Sequence, residues 1–442
     1  MEVTESPANN RPGRIRLPLY QQVLIAVTCG GLLGVLFGQE SYLGGLRNEQ
    51  LGKLGLIVVS LLKTLAIPLI FFAIIDALIR TTIPLRQGGK LLAICLVNVT
   101  VAMTIGLSIM NSWQPGLLWY GHVDDLLHIV PEVKTAPRFT STDHPLQDLA
   151  AYIPRTIAEP FSSHNIIGVV LLALVIGAVV RTLHNKSAQT GGAIDWVVQA
   201  IQRIYEWLVK ILGWIILIVP IAVFGIVAQV VGKSGLGVFS VLWIFLVAML
   251  AGLAIHSLVY YPLLAWLIGK KSPKVYVGQG ADAIMTALSC NSSLATVPVT
   301  LRCLERMNVS AQSSRLAACV GTNLNNDGIT LYEAMAALFL AQALGFDLTV
   351  GKQLVIVVAS IIAGAGVAGI PEAGMIIMPL VLTAAGLPDE VILASIPLIM
   401  TVDWIIARAR SAVNVMSDML VAILLDAGRM APAATSKTEV PR

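Results

Sequence analysis

The stretch Asp403-Trp404-Ile405-Ile406-Ala407-Arg408-Ala409-Arg410-Ser411-Ala412-Val413-Asn414-Val415-Met416-Ser417-Asp418 governs the reading of the whole chain. It lies inside an apolar run from about Val391 to Leu425, long enough to cross a bilayer as a helix. Asp403, Ala407, Arg410, Asn414 and Asp418 follow one another at helical intervals, so on a helix they share one face. A charged side chain at the centre of a membrane costs at least about 2.5 kcal/mol even on the mildest scale. Two carboxylates, an amide and a guanidinium on one stripe must therefore look onto a polar cavity within the bilayer.

Composition places the rest of the chain in the same solvent. Of 442 residues 56% are hydrophobic and 12% charged, with a mean hydropathy of +0.81. Soluble domains carry roughly twice that charged fraction, about 25%, so a water-facing surface for the whole chain cannot be built. That composition argues against a soluble enzyme, and the net charge of +4, spread over short loops on one side of the bilayer, argues against a nucleic-acid-binding module. The cysteines (Cys29, Cys95, Cys290, Cys303, Cys319) are odd in number and lack metal-ligand spacing, and read as small apolar residues.

Before the quoted helix, apolar spans are predicted near Pro18–Gly38, Leu51–Ile79, Lys90–Trp113, Ile166–Val180, Trp196–Val231 and Leu236–Gly269. A proline-rich, acidic insert from about Gln114 to His164 reads as a solvated loop. Basic clusters at Arg11/Arg14/Arg16, Arg80/Arg86/Lys90, Arg181/Lys186 and Lys270/Lys271/Lys274 alternate with neutral or acidic linkers, which sets the N-terminus inside. From Val275 to Leu301 an apolar segment is broken by Ser289, Cys290, Asn291, Ser292 and Ser293, with basic residues beyond both ends. That pattern predicts a re-entrant hairpin. The span Leu316–Gly345 is interrupted by Asn323, Asn325, Asn326, Asp327 and Gly328, and a second segment, Gln353–Gly386, by Gly364, Gly366, Gly369, Pro371 and Gly374. Interrupted segments in two similar units entering from opposite sides point to a secondary transporter, with its site where the breaks meet near the midplane.

The chemistry concentrates at those breaks. Arg410 supplies a planar two-donor group suited to a carboxylate, though an internal Asp–Arg pair is the bland alternative. Arg408 reads equally as a snorkelling residue and a functional one. Ser292 and Ser293 precede a half-helix whose free amides attract an anion, and the Gly369 to Gly374 tip offers bare backbone suited to a gate. Asn325, Asp327, Asn414 and Asp418 are hard oxygen ligands for a cation, sodium first, against the alternative of a hydrogen-bonded network without an ion. Glu333 is either a proton carrier or a paired structural carboxyl, and His256 reads as packing rather than as a relay.

In order, Ser292-Ser293-Leu294-Ala295-Thr296-Val297-Pro298, Asn325-Asn326-Asp327-Gly328, Leu331-Tyr332-Glu333-Ala334, Gly369-Ile370-Pro371 and the Asp403 to Asp418 stripe resemble the dicarboxylate/amino acid:cation symporters, the glutamate transporter family. Leu61–Phe72 is similar to that family's second helix. The resemblance implies an all-α membrane protein of eight transmembrane helices and two re-entrant hairpins, forming homotrimers and moving as an elevator. It implies a cytoplasmic tail at 1–17, helices one to three in 18–113 and an extracellular loop at 114–164. Helices four to six then occupy 165–269, the transport core 270–428 and a second cytoplasmic tail 429–442. By position, Arg410 would hold a distal carboxylate, Ser293 and Asn414 the nearer one, and Ser411 would line the site. Asn325, Asp327, Asn414 and Asp418 would hold sodium with Asp403 nearby, and Glu333 matches the proton-carrying glutamate.

Three positions depart from the family pattern. Ala407 stands where amino-acid-transporting relatives have the aspartate that holds the substrate amine. Asn326 and Ile329 replace a methionine and a threonine at the break, while Cys95, Asn98 and Val99 stand where some relatives place a tyrosine, a threonine and a serine around a sodium ion. The expectation is a plasma-membrane symporter that couples sodium or proton entry to uptake of succinate, fumarate or malate, with no further cofactor. Acidic amino acid transport is the alternative, and an anion channel a more distant one.

Overall fold

The computed structural model describes residues 19–42, 44–80, 85–120, 156–162, 166–187, 194–346, 348–365 and 373–427. The two tails, most of the insert and the Gly369 to Pro371 tip lie outside them. Every regular element among the described residues is helical. Among the described residues four helical stretches, Gln87–Trp113, Gly168–Lys186, Asp195–Lys233 and Leu242–Leu267, are long and apolar enough to cross a membrane.

Three long helices, α1 (Leu19–Phe37), α2 (Asn48–Arg80) and α6 (Asp195–Ser234), pack together. The short α4 (Glu159–Ser162) leads towards α5 (Ile166–Ser187), which lies along α2. At about 1.5 Å per residue α6 is roughly 60 Å long, twice a bilayer's hydrocarbon thickness of about 30 Å. Its exposed Trp196, Trp207 and Trp214 are suited to interfacial positions. The start of the predicted solvated insert is not solvated: directly after α3 (Leu85–Trp113) a 3-10 turn, Pro115–Trp119, buries Trp119 against Phe339, and Phe245 continues that edge-to-face seam.

The remaining elements build the centre. The predicted sixth span is divided: α7 (Gly237–Ala254) passes through a π-helical turn, Ile255–Tyr260, into α8 (Tyr261–Leu267). Such turns insert a residue into the helix and shift the side chains that follow. The serine-rich break separates two helices, α9 (Pro273–Cys290) and α10 (Ser293–Arg306), which pack on each other and on the last helix. Asn291 between them has φ 51°, a left-handed conformation that asparagine tolerates better than most residues. On its far side Ser292 caps α10 by accepting from the Ala295 amide at 3.2 Å.

After α11 (Ala311–Arg315) the chain loses regular geometry earlier than the Asn-Asn-Asp signal suggests, in a π-helical turn at Leu316–Val320 and a 3-10 turn at Gly321–Asn323. It recovers in α12 (Asp327–Ala343), which is buried almost throughout. Two further helices, α13 (Val350–Ala365) and α14 (Ala373–Ala384), flank the glycine-rich tip, and α15 (Asp389–Ala427) is the quoted helix. At 39 residues α15 spans about 58 Å at a rise of about 1.5 Å per residue. It packs against α9, α10, α12 and α14, so all the interrupted segments meet on it.

Candidate functional site

The α15 stripe faces the breaks, as its spacing requires. Asp403, Ala407, Arg410, Asn414 and Asp418 are all buried. Arg410 donates to Asp403 Oδ2 at 3.2 Å, and its guanidinium carbon sits 4.1 Å from the centre of the Tyr332 ring. Aromatic stacking and an ion pair together fix the plane of the guanidinium. Asp403 is therefore brought to Arg410, not to Asp418 at the other end of the stripe. Gly374 at the start of α14 abuts the same guanidinium, and a Cβ there would collide with it. Arg408 folds back along its own helix, donating to the Trp404 carbonyl at 2.9 Å with its guanidinium beside the Trp404 ring.

The hairpin tip reaches the same stripe. Ser411 donates to Asn291 Oδ1 at 2.8 Å, and Ser293 is buried at the first position of α10. Ser292 is committed to capping, so only part of its hydroxyl's capacity is available elsewhere.

One turn further along α15 lies the broken span. Asn414 Oδ1 accepts from the Gly328 amide at 2.8 Å, and its Nδ2 reaches Asn326 Oδ1 at 3.4 Å. A Cβ on residue 328 would sit 2.7 Å from the Arg410 carbonyl, so glycine is what lets α12 begin this close to α15. Asn325 donates to Asp418 Oδ1 at 3.3 Å. Asp327 Oδ2 accepts from Ser417 at 2.6 Å and from Tyr261 at 2.9 Å, and His256 Nε2 stands 3.4 Å from it. The residue expected to serve packing alone thus touches the central carboxylate. Glu333 is buried, and neither of its carboxyl oxygens has a hydrogen-bond partner among the described residues.

The family profile of the sodium:dicarboxylate symporters matches residues 19–427. The chain belongs to that family. Among similar proteins of this symporter family, excitatory amino acid transporter 3 of Oryctolagus cuniculus is 28% identical over 447 residues, covering 90% of this chain and 83% of the relative. Excitatory amino acid transporter 1 of Mus musculus is 36% identical over 259 residues, 58% of this chain and 46% of the relative. The human transporter 1 shows the same identity over the same length. The chain is therefore a member of a membrane-transport family rather than of an enzyme family, and its regular elements are helical among the described residues.

The residues present fit the cation in the family's name. Oδ1 of Asn325 and Oδ1 of Asp327 are buried without a hydrogen-bond partner among the described residues, and Asp418 adjoins Asn325. Orphaned acceptor oxygens at an unwound segment are the donor set a hard cation takes. Sequence reasoning missed Tyr261 and Ser417 as parts of this symporter's site. The signal was a pair of tyrosines, Tyr260 and Tyr261, within an apolar span, because a buried phenol needs a partner.

Proposed function

We propose that this chain is a cation-coupled symporter of the plasma membrane for small molecules that carry two carboxylates. The observation that carries this reading is Arg410, a buried guanidinium oriented by Asp403 and Tyr332 beside Gly374 and one turn from Asn414. Such a group recognises a carboxylate by shape as well as charge. Arg410 would take the distal carboxylate of the substrate, and Ser293 and Asn414 the nearer one, with Ser292, Ser411 and the Gly369–Pro371 tip completing the enclosure.

Within this class the relatives' names, excitatory amino acid transporters, support an amino acid, which with Arg410 for a second carboxylate favours acidic amino acid transport over the amine-free dicarboxylate expected from the sequence. The second reading keeps one observation, the methyl group of buried Ala407 where a substrate amine would need an anion. Thermal stabilisation of the purified protein by aspartate, glutamate, succinate and malate, with and without sodium, separates the two. Stabilisation by neither class would overturn the reading, and current without substrate counterflow in proteoliposomes would favour an anion channel.

Sodium supplies the driving force when bound, and Asn325, Asp327 and Asp418 would hold it. Asn414 would link that site to the substrate, because its amide oxygen already fixes the first turn of α12 through Gly328. Glu333, one helical position from the Tyr332 ring under Arg410, would carry a proton. Eight transmembrane helices, two re-entrant hairpins, a trimer, elevator movement and cytoplasmic termini complete the proposal.

A further inference from the structure

The two oxygens of Asp327 are treated differently by their surroundings. Oδ1 has no hydrogen-bond partner among the described residues, whereas Oδ2 accepts from Ser417 and Tyr261 and lies near His256. Behind these donors stands a further layer. Tyr260 donates to Asn98 Oδ1 at 2.9 Å, Asn98 Nδ2 reaches Ser417 Oγ at 3.5 Å, and the Tyr260 ring stacks on His256. The π-helical turn at Ile255–Tyr260 carries His256 and Tyr260 and runs directly into Tyr261, so His256 and Tyr261 at the carboxylate and Tyr260 behind them come from one helix. Ser417 comes from α15 and Asn98 from α3, so three elements converge.

A carboxylate has about four acceptor sites and rotates unless held. Donors on Oδ2 fix the carboxylate plane and leave Oδ1 turned away from them. Oxygens on the α3 side are also engaged: Asn98 Oδ1 accepts from Tyr260, and both acceptor sites of Asp327 Oδ2 are taken by Ser417 and Tyr261. We propose that Tyr261 and Ser417 are positioning residues that hold Asp327 so that it binds the coupling cation through Oδ1 alone, on the Asn325 side. This rests on the reading of Asp327 as a cation ligand. Groups that orient a metal ligand through its second atom typically change metal affinity by about 10–100-fold when removed.

The test is the midpoint of sodium-dependent thermal stabilisation, measured on the full chain in detergent at constant ionic strength and without substrate. Tyr261→Phe and Ser417→Ala should each raise the sodium midpoint by roughly tenfold or more. Ser417→Thr keeps a hydroxyl and should restore the parent midpoint, a rescue that a purely packing role would not give. Should Tyr261→Phe fail to fold, the Ser417→Ala and Ser417→Thr comparison decides alone. Midpoints raised less than about threefold, or lowered, in foldable variants would overturn the inference. Asp327→Asn distinguishes the layers. If it abolishes the sodium response while the positioning variants keep the parent midpoint, the positioning inference alone is wrong. If Asp327→Asn itself keeps the parent midpoint, the cation site has been misread.

Discussion

Arg410 shows how much one side chain carries and how little of its use the sequence reveals. The spacing on α15 makes it share a face with Asp403, and the internal Asp–Arg pair offered by the sequence does form, but only the fold adds the Tyr332 ring beneath it. Removing a charged partner from such a buried pair costs about 2–5 kcal/mol, part of it from the group left unpaired. Arg410→Ala should therefore weaken binding of any two-carboxylate substrate by a factor of tens to thousands, and unchanged affinity in a calorimetric titration would refute the assignment. Ala407 is the complementary case. A substrate ammonium buried without a nearby anion costs several kcal/mol, so Ala407→Asp should strengthen aspartate binding and weaken succinate binding. Competition between the two ligands reads this directly, and a parallel change in both would count against it. For Glu333 the expectation concerns protons: Glu333→Gln should remove the pH dependence of uptake and leave its sodium dependence intact, as measured by flux at two pH values across a sodium series.

At the scale of elements, the breaks matter more than the helices they separate. Poor helix formers at Asn323 to Gly328 announced an interruption in the sequence. Its earlier onset at Leu316–Val320 was not announced, because Leu-Ala-Ala-Cys-Val is ordinary helical sequence and packing alone makes it π-helical. The same holds for Ile255–Tyr260. The restart of α12 depends on Gly328 lying against the Arg410 carbonyl and donating to Asn414. Gly328→Ala should push the two helices apart at a cost of about 1–3 kcal/mol, the usual penalty for overpacking. A lower melting temperature with weakened sodium stabilisation is expected, and a parent-like melting curve would show that the contact can relax.

At the scale of the molecule, the groups proposed for substrate and cation are neighbours on one helix, with Asn414 between Arg410 and Asp418. Sites joined through a shared element are coupled, and the coupling is reciprocal. Apparent substrate affinity should rise with sodium by the same factor by which substrate raises sodium affinity. Asp418→Asn and Asp327→Asn should weaken sodium binding and, through it, substrate binding. Substrate affinity independent of sodium in the parent protein would contradict this arrangement.

The sequence by itself determined that the chain lives in a membrane, that its last third is built from interrupted segments, and that one helix carries a polar stripe. These follow from composition, from the placement of basic residues and from helical periodicity, all of which act locally along the chain. It also singled out Arg410, Asp327 and Asp418 as candidates, because ionisable groups within apolar spans are costly. Only the tertiary structure decided which oxygen of Asp327 is engaged, that His256, Tyr261 and Ser417 gather on it, and that Asp403 serves Arg410. The contacts on Asp327 join residues 66 to 90 positions apart, through π-helical turns and close helix approaches that no local pattern encodes, whereas Asp403 and Arg410 lie seven positions apart on one helix and only their actual pairing needed the structure.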